Sequence, residues 1–263
     1  MELPYRVHPG DGPPLLLVHG FLTGPGQWQA NLEALRRHCT PVTVTLWGHA
    51  GAPSPADAAA YDPGAYVAAF DAIRRALGAE RWFLLGYSLG AGLTLRYAFE
   101  HPDRVIGHAF TNSTSALADA DVQQRWIASA AESAEKVRTG GHRAMERIAV
   151  HPRHARKLPQ PIYRALMADA ARHDPAGIAA TMEHTNPHTS VRARLAENQR
   201  PALLVCGTRE RRFRPHREFL PEHMPHLRVA DLDAGHGMNM EAPEAFAAAV
   251  TAFLTSCATS STS

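Results

Sequence analysis

This chain has few cysteines, almost no net charge and no long hydrophobic run, and each shortage removes a class of protein. Cys39, Cys206 and Cys257 form neither an even disulfide set nor a metal-binding spacing, so reduced thiols in a cytoplasmic setting are expected. No segment approaches the roughly 20 apolar residues that a membrane span needs. The N-terminal residues Met1 to Arg6 also lack a basic stretch followed by an apolar one. A soluble, unprocessed protein with no membrane partner is therefore expected. The formal charge is only +2, and the densest basic run, residues 209–214, is too short to point to a nucleic-acid partner without a supporting motif. What remains is an ordinary globular balance, 45% apolar and 20% charged, long enough for one core and an insertion.

Histidine is in excess, with 16 copies, which raises the question of a metal. His151 and His154 are three residues apart and His184 and His188 four apart, yet Pro152 and Pro187 break the helical geometry that would align either pair. No third ligand is evident, so no metal or other cofactor is expected. His8, His38, His101, His108, His142, His173, His216, His223 and His226 read as surface or helix-end residues.

Short apolar runs ending near glycine recur along the chain: residues 14–20, 41–46, 81–86 and 201–207, with 105–110 and 227–232 beside them. They read as buried parallel strands. Helical patterns at 27–38, 63–77 and 89–101 supply the crossovers that parallel pairs require, and 241–254 closes the chain. Strand and helix alternate, so the fold class is α/β, with a mostly parallel sheet flanked by helices. Between about 113 and 198 the alternation gives way to helices at 122–138, 143–150, 161–172 and 175–184. That stretch is expected to be a helical lid over the strand ends, where open α/β sheets place their ligands. The expected organisation is a core of residues 1–112 and 199–256, a lid of 113–198 and a flexible tail of 257–263.

The segment Gly86-Tyr87-Ser88-Leu89-Gly90 follows one such strand and precedes a helix. A serine on that sharp turn needs small neighbours two residues either side, and the turn lifts its hydroxyl to the top of the sheet. A hydroxyl becomes a useful nucleophile only when a base takes its proton. His236 lies in a glycine-flanked loop after the last strand, at the same sheet edge, and fits that task. The histidine in turn needs an acid. Glu210, in the loop after strand 201–207, gives the chain order Ser, Glu, His; Asp231 and Asp233 are its rivals on the histidine's own strand and loop. Backbone N–H groups of Phe21 and Leu89 are the natural oxyanion donors, with His19 ordering the first of those loops.

These residues together resemble the α/β-hydrolase superfamily over nearly the whole chain. Within it, His19 to Gly24 with Trp28, Gly86 to Ala91, and Gly207-x-x-Glu210-x-x-Phe213 are similar to the menaquinone-pathway 2-succinyl-6-hydroxy-2,4-cyclohexadiene-1-carboxylate synthases, which are lyases. That resemblance implies contacts from Tyr87 and Arg125 to an anionic substrate. At two positions the chain departs from it: Gly92 stands where those synthases carry a substrate-binding arginine, and Glu210 where they carry aspartate. A missing guanidinium removes a bidentate partner for a polyanion.

The expected activity is hydrolysis of a small to medium ester, thioester or lactone through an acyl-enzyme, with a small-molecule substrate and lid residues such as Trp126 and Ile127 selecting the acyl group. A cofactor-independent lyase or C–C hydrolase on the same residues is one alternative. A non-catalytic ligand-binding homologue is another.

Overall fold

The computed structural model describes residues 1–259. Its centre is a seven-stranded sheet of β1 (Tyr5–Val7), β2 (Pro14–Val18), β3 (Thr40–Val44), β4 (Trp82–Gly86), β5 (Val105–Thr111), β6 (Ala202–Gly207) and β7 (Leu227–Leu232), in the order β1-β3-β2-β4-β5-β6-β7. Only β1 runs antiparallel, pairing with β3. This exposed edge strand carries too short and too polar a pattern to be legible in the sequence.

Alternation along the central strands sends side chains to two cores. Leu16, Val18 and Leu84 pack on one face, Leu15, Leu17, Phe83 and Leu85 on the other. The first face is covered by α2 (Pro63–Ala76), α3 (Leu89–Glu100) and α7 (Arg214–His223), through Tyr66, Phe70, Leu93 and Leu220. The second is covered by a short α1 (Leu32–Leu35) and by α9 (Pro243–Thr259), through Leu35, Phe246, Val250 and Phe253. Both faces are sealed, as a parallel sheet requires.

Three expectations change. The helix foreseen over 27–38 is a 3-10 turn, Pro25–Trp28, followed by the single turn of α1, because Asn31 turns its side chain to the Asn239 carbonyl instead of continuing a helix. Between β5 and β6, α4 (Ala120–Met145) is two helical segments broken at Gly141, φ 56° and ψ −144°, as foreseen for 122–138 and 143–150, but the second segment ends at Met145 rather than 150. Of the tail foreseen over 257–263, residues 257–259 belong to α9, with Cys257 buried against the sheet, and residues 260–263 lie outside the described residues.

The helical segment between β5 and β6 continues with α5 (Gln160–Ala170) and α6 (Pro175–Ala180). It is pinned to the core by the backbone pairs Gly51 N–H to Arg172 O and Asp174 N–H to Gly48 O. Asp169 adds a bond from the Gly26 amide at 2.8 Å. No helix among the described residues is long and apolar enough to cross a membrane.

Candidate active site

Ser88 sits between β4 and α3 at φ 52°, ψ −112°, a conformation in which a non-glycine residue is held only by its surroundings. The surroundings are tight. A Cβ at Gly86 would lie 2.2 Å from Thr94 Oγ1, and one at Gly90 2.3 Å from the Val18 carbonyl. Glycine at both positions is what lets the turn close and expose the serine hydroxyl. The Ser88 amide donates to Thr111 Oγ1 at 3.1 Å, fixing the turn to the end of β5.

The sequence-derived trio converges. The Ser88 hydroxyl donates to His236 Nε2 at 3.0 Å, and His236 Nδ1–H donates to Glu210 Oε2 at 2.9 Å. Three strand ends thus bring together side chains 148 and 26 residues apart. Burial opposes ionisation of Glu210, but the hydrogen bond and charge of His236, the Asn112 amide and the nearby Arg212 outweigh it and hold the carboxyl below its usual range. The rival acids point elsewhere. Asp231 accepts two bonds from Arg217, at 3.0 and 2.9 Å, and Asp233 is exposed beside Arg209.

Asn112, just beyond β5, is the residue that the sequence did not single out. Its Nδ2 donates to Glu210 Oε2 at 2.8 Å and to the Gly207 carbonyl at 3.1 Å, while its Oδ1 accepts the Gly207 amide at 3.2 Å. Nothing in a lone asparagine after a strand signals such a role.

Phe21 and Leu89 flank Ser88, and neither amide donates to another backbone carbonyl among the described residues. Leu89 opens α3, so its N–H has no acceptor within the helix. The Phe21 loop is ordered from below: His19 Nδ1–H donates to Gly20 O at 2.8 Å, and Thr23 donates to the same carbonyl at 2.9 Å. His19 Nε2 accepts the Leu46 amide at 3.1 Å, which fixes its tautomer. Burial drives the His19 pKa down to about 3, so the ring is neutral. His49 packs against it with ring centroids 5.2 Å apart, and His173 of the lid packs on His49 at 5.3 Å. His173, whose Nδ1 accepts the Ala50 amide at 2.9 Å, and His108, whose Nε2 bonds Asn198 at 2.9 Å, are buried rather than at the surface as foreseen, held by partners that the sequence pattern does not display.

A cavity of about 1040 Å³ opens over Ser88 and His236. Its apolar walls include Phe21, Tyr87, Leu158, Leu166 and Met240. Tyr87 is thus a wall residue, its ring 5.4 Å from that of His236. Arg125 and Trp126 are not. Both are exposed on α4, outside the cavity lining. The cavity is lined instead by the stretch from Ala149 to Pro159, which follows α4. Gly92 is closed off as well: a Cβ there would lie 2.8 Å from Thr189 Cβ, so no long side chain could reach the site from it.

The sheet order, the strained serine turn and the converging Ser88, His236 and Glu210 define an α/β protein of hydrolase type. The model of the alpha/beta hydrolase fold matches residues 13–243, and the chain belongs to that family. Among curated proteins it is 24% identical over 249 residues to a Bacillus subtilis (strain 168) protein provisionally named a 2-succinyl-6-hydroxy-2,4-cyclohexadiene-1-carboxylate synthase, covering 92% of this chain and 90% of that one. Among solved structures, MenH from S. aureus superposes with a TM-score of 0.84 at 17% identity, covering 96% of this chain and 98% of that one. The enol-lactonase from Burkholderia xenovorans LB400 gives 0.81 at 23% identity, with 96% of each chain covered. Likeness at these identities speaks for the fold.

Proposed function

We propose that this protein is a serine hydrolase that cleaves a small to medium ester, thioester or lactone through an acyl-enzyme. The observation that carries the reading is the unbroken hydrogen-bond chain from Ser88 Oγ through His236 to Glu210 at the floor of a mainly apolar cavity. Ser88 Oγ attacks the acyl carbon while its proton passes to His236 Nε2. Glu210 holds the imidazole in the required tautomer and stabilises the imidazolium. The carbonyl oxygen takes up the negative charge against the amides of Phe21 and Leu89, near the positive end of α3. Collapse expels the alcohol or thiol, which takes the proton from His236. Water then attacks the acyl-serine, with His236 again as base, and the acid leaves.

Reaction with a fluorophosphonate, followed by intact mass, tests this directly. One adduct is expected on the native protein and none on Ser88→Ala; labelling that persists in Ser88→Ala refutes the assignment. A second reading, a lyase acting with the same residues, draws support from the length-wide similarity to the provisionally named synthase. Pyruvate release from the synthase substrate would favour it, and an acyl-serine burst with activated esters would favour hydrolysis.

A further inference from the structure

The charges lining the catalytic cavity do not cancel. Glu241 is paired with Arg209 at 2.8 Å and accepts from the amides of Gly235 and Gly237, and Glu210, which accepts from His236, is the one acid among the described lining residues whose charge is left uncompensated. Two cations remain. Lys157, in the lid, and Arg212, in the core loop that carries Glu210, both line the cavity, and neither makes a hydrogen bond or ion pair among the described residues. Arg212 acts on Glu210 only through space. Both are exposed, so they stand toward solvent rather than beside the nucleophile, which is surrounded by Phe21, Tyr87 and Met240.

The lid reinforces the sign of the field. Residues 143–164, which span the end of α4, the cavity-lining stretch and the start of α5, hold six lysines and arginines against one acid, Glu146. That acid is already paired with Arg153. A mouth of one sign beside low-dielectric walls attracts and orients a ligand of opposite charge.

We propose that Lys157 and Arg212 are specificity residues that select an acyl substrate with an anionic group, carboxylate or phosphate, on the part that remains at the cavity mouth. The apolar walls take the segment next to the scissile carbonyl. The mouth takes the charge, from the lid on one side and the core on the other. The anion is therefore read at the outer end of the substrate, not from Gly92, which is sterically closed, nor from Arg125, which lies outside the cavity.

This inference rests on the hydrolase reading above, and matched substrate pairs separate the two. Mono(4-nitrophenyl) glutarate against 4-nitrophenyl valerate places a carboxylate on the acyl half. Butyryl coenzyme A against S-butyryl-N-acetylcysteamine places phosphates on the leaving half. In at least one pair the charged member is expected to have the higher kcat/KM, through KM, and the preference should shrink as salt is raised. Lys157→Gln and Arg212→Gln should each cut that preference about fivefold, the upper range for exposed charge pairs. The double variant should bring the ratio near one. Because Arg212 also acts on Glu210, the ratio within a pair is read, so that a change in the chemical step cancels. Arg147→Gln, basic but outside the cavity, should keep the preference, and unchanged thermal midpoints exclude misfolding. If native protein turns over both members of both pairs equally, or if the double variant keeps the preference, the inference is overturned while the hydrolase reading stands. If neither member of any pair acylates Ser88, the reading beneath it fails instead.

Discussion

Asn112 and Glu210 are joined through the same carboxylate oxygen that receives the His236 N–H: Oε2 lies 2.8 Å from Asn112 Nδ2 and 2.9 Å from His236 Nδ1. The amide also clamps both backbone groups of Gly207, three residues before the acid. Asn112 therefore fixes the place from which Glu210 holds the histidine.

Asn112→Ala should leave Glu210 free to turn and Gly207 unpaired, so kcat should fall about tenfold with KM little changed, in line with the cost of unmaking buried hydrogen bonds. Asn112→Asp should do something different. A second carboxylate beside Glu210 repels it, so one of the two takes up a proton at higher pH than Glu210 alone, and the acid limb of the kcat/KM profile should move to higher pH. A profile lowered in scale but unchanged in shape would show that the amide acts as scaffolding alone.

Glu210→Gln keeps shape but removes the charge that stabilises the imidazolium, and turnover should drop by roughly three to four orders of magnitude. Asp231→Asn should stay within a few-fold of native, since its carboxylate is bound to Arg217 on the far side of the strand end. Asp233→Asn should behave likewise. Steady-state kinetics of the three variants decide the matter, and inactivation by either aspartate change with Glu210→Gln still active would reassign the acid.

The elbow and the strands around it could be read from the sequence because their constraints are local. Gly86 and Gly90 are demanded by backbone contacts within the turn and with β2, and strand 82–86 is an unbroken apolar run. Glu210 and His236 followed from topology, each lying just past a strand end. Asn112 and His173 were not legible in those roles, since their partners lie 95 to 98 and 123 residues away and their own neighbourhoods carry no pattern. Arg125 and Trp126 lie outside the cavity lining for another reason. An amphipathic helix shows which residues share a face, but the kink at Gly141 and the packing of α4 on α6 decide where that face points.

Buried neutral histidines should govern stability in mild acid. Burial, only partly offset by hydrogen bonds, lowers His19 to about 3 and His108 and His173 to about 4. In the unfolded chain the same rings take up protons near 6.5. Between about pH 6.5 and 4 the unfolded state thus holds more protons, and stability falls as pH falls, by about 1 kcal/mol per pH unit for each ring. The depressed carboxyls of Asp71, Glu210 and Asp231 act lower, below the ordinary carboxyl range, and do not explain a loss in this window. Urea unfolding at pH 7.5, 6.5, 5.5 and 4.5 should show a plateau above 6.5 and a decline beneath it. A flat response down to pH 4.5 would contradict neutral burial of these rings.

Acyl-chain preference should respond to the stretch after α4 and not to α4 itself. Leu158 is half-buried on the cavity wall, whereas Trp126 is exposed and outside it. Leu158→Ala replaces an isobutyl group by a methyl where the substrate chain would lie, and its partial exposure keeps the stability cost below that of a fully buried leucine. The enlarged cavity admits more carbon, so the ratio of kcat/KM for 4-nitrophenyl octanoate over butyrate should rise about fivefold, a modest share of what a methylene is worth in a closed pocket. Trp126→Ala should leave that ratio where it is. If Trp126→Ala shifts the ratio and Leu158→Ala does not, then the acyl chain runs along α4 and the cavity over Ser88 is not its seat.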